Sequence, residues 1–353
     1  MSLNTDVGPI HADALTTFLE AVFAASGADQ HDSAVVADAV VDAELRGIRS
    51  QGLLRVGNYV AAARAGKVRS PTNLTVVRDA GASFLLDAND GWPQPALVAG
   101  FEMCGERARD TGSCFAVIRR TGHIGRLGYY VERVARHGQI GIVMAGGNKG
   151  SGWVAPWGGT GPLWGTNPIA VGFPRRDREP IVIDISTTQT SRGNVLMAQT
   201  LGQALPVGFG LDARGEVTTD PAQALPPHGT LAPLGGQEAG HKGYGLALMV
   251  HILCGVLGGS YPGGGGNFLG VLQIEAFGDR ASYDASLEAL ADDIKAVPRK
   301  ASVDEIYLPG EHSARYVARH RHEGLSFPAA QWAEVTELAR ELGVSERLFP
   351  TAS

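Results

Sequence analysis

The spacing of apolar residues changes twice along the chain, and these changes constrain the fold more than any other feature. Residues 13–25 repeat their apolar side chains at helical spacing, and further helices are predicted from Ser33, as an N-cap, and over 53–65. From Leu74 onward, short strand-like segments alternate with amphipathic helices, and helical spacing returns beyond Pro309. The pattern predicts an α/β layer structure between two helical chain ends.

The length of the chain predicts two domains. With 353 residues, 44% of them hydrophobic, it exceeds the usual size of a single compact core. The economical arrangement folds the helical C-terminus back onto the helical N-terminus. We therefore predict a helical domain formed by residues 1–72 and 312–353, and a central α/β domain over residues 73–311.

The composition points to small-molecule partners. Only 19% of residues are charged and the net charge is -6, so no basic surface for nucleic acid or anionic membrane is expected. The N-terminus lacks the features of a signal peptide, and the longest apolar run, 246–257, is shorter than the ~20 residues of a membrane span. Three cysteines without CxxC spacing, Cys104, Cys114 and Cys254, give no metal site and fit a cytoplasmic protein.

The glycine distribution predicts shaped loops and excludes one common cofactor motif. Many of the 48 glycines fall in the tracts 146–166 and 255–270. The spacing GxGxxG/A occurs at 150–155 and 208–213, but neither stretch joins a strand to a helix as the dinucleotide fingerprint requires. A Rossmann-type cofactor site is therefore not expected.

A histidine and a lysine are placed where helices are predicted to begin. His123, in GHIG, would lie near a helix N-terminus, which favours a neutral imidazole and suits proton transfer; the alternative is a helix cap. Lys242, in GHKGYG, would open an apolar helix and suit a phosphate; the alternative is a solvated lysine.

Polar residues also follow a buried strand. In PIVIDIST, four polar residues come at the strand end, where α/β folds commonly bind ligands, although ordinary strand capping gives the same pattern: Asp184, Ser186, Thr187 and Thr188.

Clustered arginines and tryptophans leave further alternatives open. In RGIRSQGLLR, one or two of the arginines could bind a substrate carboxylate as a fork, or all could be surface charges; they are Arg46, Arg49 and Arg55. A second arginine set could meet a 2′-phosphate, with surface charge favoured: Arg175, Arg176 and Arg192. The loop tryptophans could wall a pocket, with a core role favoured: Trp153, Trp157 and Trp164.

Six segments together resemble the type 2 malate/L-lactate dehydrogenase family, in the same order and over residues 10–340. They are RGIRSQGLLR, GHIGRLGYY, WGGTGPLWGTNPIA, PIVIDIST, PLGGQEAGHKGYGLALM and YLPGE. The resemblance implies a homodimer, a helical domain from both chain ends, and a non-Rossmann central domain with a mixed sheet that binds NAD or NADP. Members interconvert 2-oxo and 2-hydroxy acids, and some reduce cyclic imines that carry a carboxylate.

The resemblance also implies roles for individual residues. The cofactor would be lined by Gly147, Asp184, Ile185, Ser186, Thr187, Lys242, Gly243, Gly310 and Glu311. His123 would be the acid/base group, and Arg55, helped by Arg49, would anchor a small carboxylate substrate.

The chain departs from the family at one position. It has Ser50-Gln51-Gly52 where most members have Ser-His-Gly, and an amide can orient a carbonyl but cannot protonate it. The favoured hypothesis is a dehydrogenase of 2-hydroxy acids in which His123 carries the proton. The alternatives are a cyclic imino acid reductase and a dinucleotide-binding protein without turnover.

Overall fold

The computed structural model describes residues 6–147 and 152–351. Its α-helices are α1 (Ala12–Ala25), α2 (Gln30–Leu45), α3 (Val56–Arg64), α4 (Pro93–Thr111), α5 (Gly128–Arg136), α6 (Arg192–Thr200), α7 (Gly236–His251), α8 (Arg280–Ala296), α9 (Glu311–Glu323) and α10 (Ala329–Glu341). Its strands are β1 (Asp6–Ile10), β2 (Thr75–Asp79), β3 (Ser83–Asp87), β4 (Ser113–Arg119), β5 (Ile140–Gly146), β6 (Ile169–Phe173), β7 (Ile181–Ile185), β8 (Gly210–Asp212), β9 (Val217–Thr218), β10 (Gly229–Leu231), β11 (Gly266–Leu272) and β12 (Leu325–Pro328). Within these ranges, every helix is too short or too polar to cross a membrane.

A seven-stranded mixed sheet forms the centre of the molecule. Its order is β2-β3-β4-β11-β5-β6-β7, with β3 and β4 parallel and all other neighbours antiparallel. Helices α4 and α5 pack against the sheet and share its apolar core. The predicted α/β class with a mixed sheet is confirmed, and β7 is left as an edge strand.

The two chain ends pack into one apolar core. β1 pairs antiparallel with β12, and Phe18 of α1 contacts Trp332 of α10 with ring centroids 5.8 Å apart. Buried residues of α1, α2, α3 and α10 belong to the same cluster. The return of the C-terminus to the N-terminal helices is therefore observed, while the domain boundaries after residues 72 and 311 stay predictions.

Three predicted helix starts are wrong. α2 begins at Gln30, because the side chain of Asp29, not of Ser33, caps it by accepting from the Asp32 N–H at 2.8 Å. α5 begins at Gly128, four residues after the predicted Ile124, so His123 lies in the preceding loop.

The third error concerns α7, which begins at Gly236 and places Lys242 in its second turn. Two of the glycines that suggested a helix start, Gly240 and Gly243, lie inside the helix. Neighbouring groups pack so closely there that a side chain would clash. A Cβ at Gly240 would lie 2.4 Å from the Trp157 ring, and one at Gly243 would lie 2.3 Å from the Leu234 carbonyl oxygen.

Candidate active site

One cavity collects most of the residues predicted to act on a substrate. It has a volume of about 450 Å³ and lies between the 49–55 segment, the loop before α5, the loop before β6 and the start of α6. Ser50, Gln51, Arg55 and His123 all line it. Among the described residues of its wall there is no aspartate or glutamate, so two arginines give the cavity a positive potential.

A buried carboxylate holds the 49–55 segment in place. Glu44 of α2 accepts from the Leu53 N–H at 2.7 Å, and Gly52 leaves room for the Glu44 carboxylate, which would lie 2.1 Å from a Cβ there. Burial raises the pKa of Glu44 to about 7, opposed by the Leu53 N–H and by the charge of Arg49. Arg55 Nε donates to the Ser50 carbonyl at 2.7 Å, which fixes the arginine at the cavity wall.

The three arginines of RGIRSQGLLR go to different places. Arg46 is buried in ion pairs with Asp42 and Glu132, so it holds α2 against α5. Arg49 donates to the Ser326 carbonyl of β12 at 3.2 Å and lies outside the cavity wall. Arg55 has no carboxylate partner within the described ranges, and burial lowers its pKa, opposed by Tyr59 and reinforced by the charge of Arg192.

His123 is held through one ring nitrogen. Its Nδ1 lies 2.9 Å from the Tyr59 hydroxyl, and burial keeps the pKa of that hydroxyl well above its usual value. The ring keeps solvent contact through the cavity although protein atoms surround it closely. This crowding, followed by the charge of Arg55, lowers the pKa of His123 to about 4. The low pKa favours the neutral imidazole predicted from the sequence, but its causes are crowding and Arg55 and not a helix N-terminus.

Gln51 occupies the position of the family histidine and faces the same cavity. Its Oε1 is buried and, within the described ranges, has no hydrogen-bond partner. A buried polar atom without a partner is costly, so a donor on a bound molecule would satisfy it.

Arg192 is exposed, as the sequence favoured, and it also lines the cavity. It is the first residue of α6, whose N-cap Ser191 also lines the cavity, and its guanidinium lies 4.3 Å from the ring centroid of Trp153. Trp153 therefore walls the cavity, whereas Trp164 is buried in a core with Val154 and Leu231. The sequence carried one signal for Arg192, since a cation is unfavourable in the first turn of a helix.

The other two members of that arginine set lie elsewhere. Arg175 is buried in a bidentate pair with Glu288, and Arg176 is exposed.

The residues predicted for the cofactor lie outside the cavity wall, and several follow the edge strand β7. Asp184 Oδ2 caps α5 by accepting from the Gly128 N–H at 2.7 Å, while Oδ1 has no hydrogen bond within the described ranges. Crowding by protein atoms raises the pKa of Asp184, opposed by Arg126 and by the Gly128 N–H. Ile185 is exposed on the same strand.

The loop before α9 packs against β7. Pro309 accepts from the Val182 N–H at 3.0 Å, and Gly310 has φ +95° with its α-carbon facing Val182. Glu311 pairs with Lys295 at 2.9 Å; burial raises its pKa, but the Lys295 bond and the Leu308 N–H outweigh this and lower it.

The remaining predicted cofactor residues connect β7 to α7. Ser186 Oγ donates to the Thr188 carbonyl at 3.1 Å, and buried Thr187 donates through its hydroxyl to Thr166, a residue of the cavity wall. Thr187 also accepts from the Leu234 N–H, and Leu234 accepts in turn from Gly243. The buried Thr187 thus links this segment to the substrate cavity.

Two positions complete the set. Lys242 is exposed on α7, with no ion pair within the described ranges. Gly147 has φ +88° and touches the backbone of Gly255, so no side chain fits there.

A sequence profile for the family described as malate/L-lactate dehydrogenase matches residues 10–336. The chain belongs to this family. The enzyme class expected from the sequence, an oxidoreductase, is confirmed, and so is the family resemblance.

Proteins similar to this chain include dehydrogenases and a reductase. The chain is 37% identical to a (2R)-3-sulfolactate dehydrogenase (NADP(+)) of Chromohalobacter salexigens, over 89% of this chain and 93% of the relative. It superposes on malate dehydrogenase from Pyrococcus horikoshii with a TM-score of 0.85, 28% identity and coverage of 98% and 99%. For delta1-piperideine-2-carboxylate reductase from Pseudomonas syringae pvar. tomato, the TM-score is 0.81, with 30% identity and coverage of 94% and 99%.

Proposed function

We propose that the protein is an NAD- or NADP-dependent oxidoreductase that moves hydride between the nicotinamide and a 2-oxo or 2-hydroxy acid. The observation that carries the proposal is the convergence of Arg55, Gln51 and His123 on one cavity without acidic residues in its described wall. The names of the sulfolactate and malate dehydrogenases among the relatives support the same substrate class.

Arg55 is the carboxylate anchor in this proposal. Its Nε is used by Ser50, which leaves the terminal nitrogens for the two oxygens of a carboxylate. Ser50 supports Arg55 through its backbone, and Arg49 acts only at a distance, through the Glu44 carboxyl that holds the segment.

His123 transfers the proton. Because Nδ1 is engaged by Tyr59, Nε2 is the nitrogen free for the substrate oxygen. In oxidation, neutral His123 accepts the hydroxyl proton, and in reduction the imidazolium returns it to the carbonyl oxygen. A carboxylate on Arg55 offsets the positive charge that helps to lower the pKa of His123, so substrate binding moves this pKa toward neutrality. Gln51 orients the reacting group: its amide nitrogen donates to a carbonyl oxygen, and its unpaired Oε1 accepts from a substrate O–H or N–H.

The chemistry of the β7 and α7 residues fits a dinucleotide. Asp184 Oδ1 is free to accept from a ribose hydroxyl, and exposed Lys242 suits a phosphate. The exposed edge of β7, with Ile185, offers apolar surface for an aromatic ring. When bound, the nicotinamide supplies or takes up the hydride.

Reduction of a cyclic imino acid is the second candidate function. Gln51 favours it, because an imine is basic and can arrive protonated, so the loss of the family histidine matters less. Similarity to the piperideine-2-carboxylate reductase supports it as well.

A panel assay separates these functions. Purified protein is mixed with NADH or NADPH and with 2-oxo acids or cyclic imino acids, and the loss of reduced nicotinamide is followed by absorbance. We expect turnover of 2-oxo acids with at least one cofactor. Turnover of cyclic imines alone would establish the second function. Tight cofactor binding without turnover of any compound would refute both and support a binding protein.

A homodimer is also proposed, on the basis of an exposed apolar face. The side chains come from the second half of α7 and from the helical turn that follows it: Leu248, Met249, Ile252, Val256 and Leu257. An apolar surface of this kind is typical of an interface. Light scattering should give twice the mass of the chain, and a monomer at micromolar concentration would contradict the proposal.

We further propose a cytoplasmic location. The three cysteines are buried and unpaired, which fits a reducing compartment. Recovery of the protein with an extracytoplasmic marker in cell fractionation would refute this.

A further inference from the structure

A second guanidinium faces the same cavity as the proposed carboxylate anchor. Arg192 and Arg55 both line it, although they come from α6 and from the segment before α3. The two elements are in direct contact, since a Cβ at Gly193 would lie 3.1 Å from Ser50 Cβ. Arg192 is solvent-exposed, and its guanidinium stacks on Trp153 at the cavity wall.

The charges of this arrangement are not balanced by protein groups. Neither arginine forms an ion pair within residues 6–147 and 152–351; Arg55 bonds the Ser50 carbonyl, Arg192 stacks on Trp153, and the described wall contains no carboxylate. The positive charge of Arg192 also stands in the first turn of α6, which has no acidic residue to offset it. Two neighbouring cations in a cavity without counter-charge favour a ligand that carries two negative charges.

We propose that Arg192 is a specificity-determining residue that binds a second anionic group on the substrate, opposite the carboxylate held by Arg55. The inference rests on the proposed function of this cavity. It narrows the substrate to a short 2-oxo or 2-hydroxy acid with a further carboxylate or sulfonate, both of which match the planar donors of a guanidinium.

The test compares substrates of different charge in matched variants. kcat/KM is measured for pyruvate, oxaloacetate and 3-sulfopyruvate with wild-type protein, Arg192→Ala, Arg192→Lys and the control Arg347→Ala, an exposed arginine near the C-terminus. Wild type should prefer the dianions. Arg192→Ala should lower kcat/KM for them by about 10- to 100-fold, as expected for a charged hydrogen bond, and change that for pyruvate by less than about threefold.

The two other variants sharpen the result. Arg192→Lys should recover part of the preference because the charge remains, and Arg347→Ala should behave as wild type. Equal losses for pyruvate and the dianions would overturn the proposal. So would an unchanged preference combined with a raised KM for NADPH, which would assign Arg192 to a cofactor phosphate.

A binding measurement separates failure of this inference from failure of the proposed function. Calorimetry with the unreactive acids succinate, 3-sulfopropanoate and butyrate needs no turnover. Tighter binding of the two dianions to wild type, lost in Arg192→Ala, supports the subsite even if no 2-oxo acid is reduced. Equal binding of all three acids would overturn it. The carboxylate and sulfonate arms show which second group fits.

Discussion

The substrate cavity and the segment that joins β7 to α7 differ in how their polar groups are engaged. In the cavity, Arg55, Gln51 and Arg192 keep donors or acceptors that no described protein group satisfies. Between β7 and α7, by contrast, the Thr187 hydroxyl and carbonyl and the Gly243 N–H are committed to internal hydrogen bonds. Polar groups without a protein partner can bind a substrate, whereas polar groups in internal hydrogen bonds hold the backbone in place. Substitutions in the cavity should therefore change turnover, and those near β7 should change stability as well.

The largest effect is expected at His123. His123→Asn removes the titratable group while keeping a polar side chain of similar size, so kcat should fall by roughly 10²- to 10⁴-fold. The free energy of unfolding should stay close to that of wild type, because the ring faces the open cavity. Steady-state kinetics and urea unfolding measure the two quantities. A variant with full turnover would remove His123 from the proton-transfer role.

A pH-dependent effect is expected at Glu44, which supports the cavity. Its pKa rises from 4.5 to about 7 in the folded protein. Because the folded protein binds the Glu44 proton more tightly than the unfolded chain does, the protonated carboxyl contributes to stability at low pH. This contribution, up to about 3 kcal/mol, is lost as pH rises from about 5 to 8. Glu44→Gln has no proton to lose and keeps an acceptor for the Leu53 N–H.

The free energy of unfolding of Glu44→Gln relative to wild type should therefore increase over this pH range. The exposed Glu341→Gln serves as control. A difference between Glu44→Gln and wild type that does not change with pH would contradict the assignment.

In α7, the variant Gly243→Ala tests whether a residue engaged in internal backbone contacts supports stability. The new Cβ would press on the Leu234 carbonyl oxygen, so the variant should lose about 1 to 3 kcal/mol of stability. Gly245, two residues along the same helix, has open space around its Cβ position. Gly245→Ala should be neutral or stabilising, since alanine favours a helix. Equal unfolding midpoints for the two variants would remove the distinction between the two regions.

The smallest effect is expected at Tyr59. Tyr59→Phe removes the bond to His123 Nδ1 but leaves the titrating ring, so kcat should fall by less than about tenfold. The pH profile of oxidation should shift, because that bond helps to set which nitrogen carries the proton. A loss as large as that of His123→Asn would instead make Tyr59 part of the proton transfer.

Much of the fold and part of the site could be predicted from the sequence. The resemblance to the family predicts from the sequence alone that Gln51, Arg55 and His123 belong to one site. Arg192 was missed because its proximity to Arg55 depends on how α6 packs against the 49–55 segment. The start of α7 was predicted wrongly because Gly240 and Gly243 are explained by their close packing against Trp157 and Leu234. The helical pattern of the sequence does not reveal these contacts.

The sequence by itself determined the elements, the family and the residue types available for chemistry. Periodicity and capping act over a few residues, so the helical ends, the strands and the departure at Gln51 can be read along the chain. Only the tertiary structure decided where the charges go. It buried Arg46 against Glu132, tied Arg49 to Ser326, and left Arg55 beside Arg192 without a counter-ion. These side-chain positions depend on contacts between segments that are far apart in the chain. The local sequence therefore does not indicate which guanidinium stays unpaired.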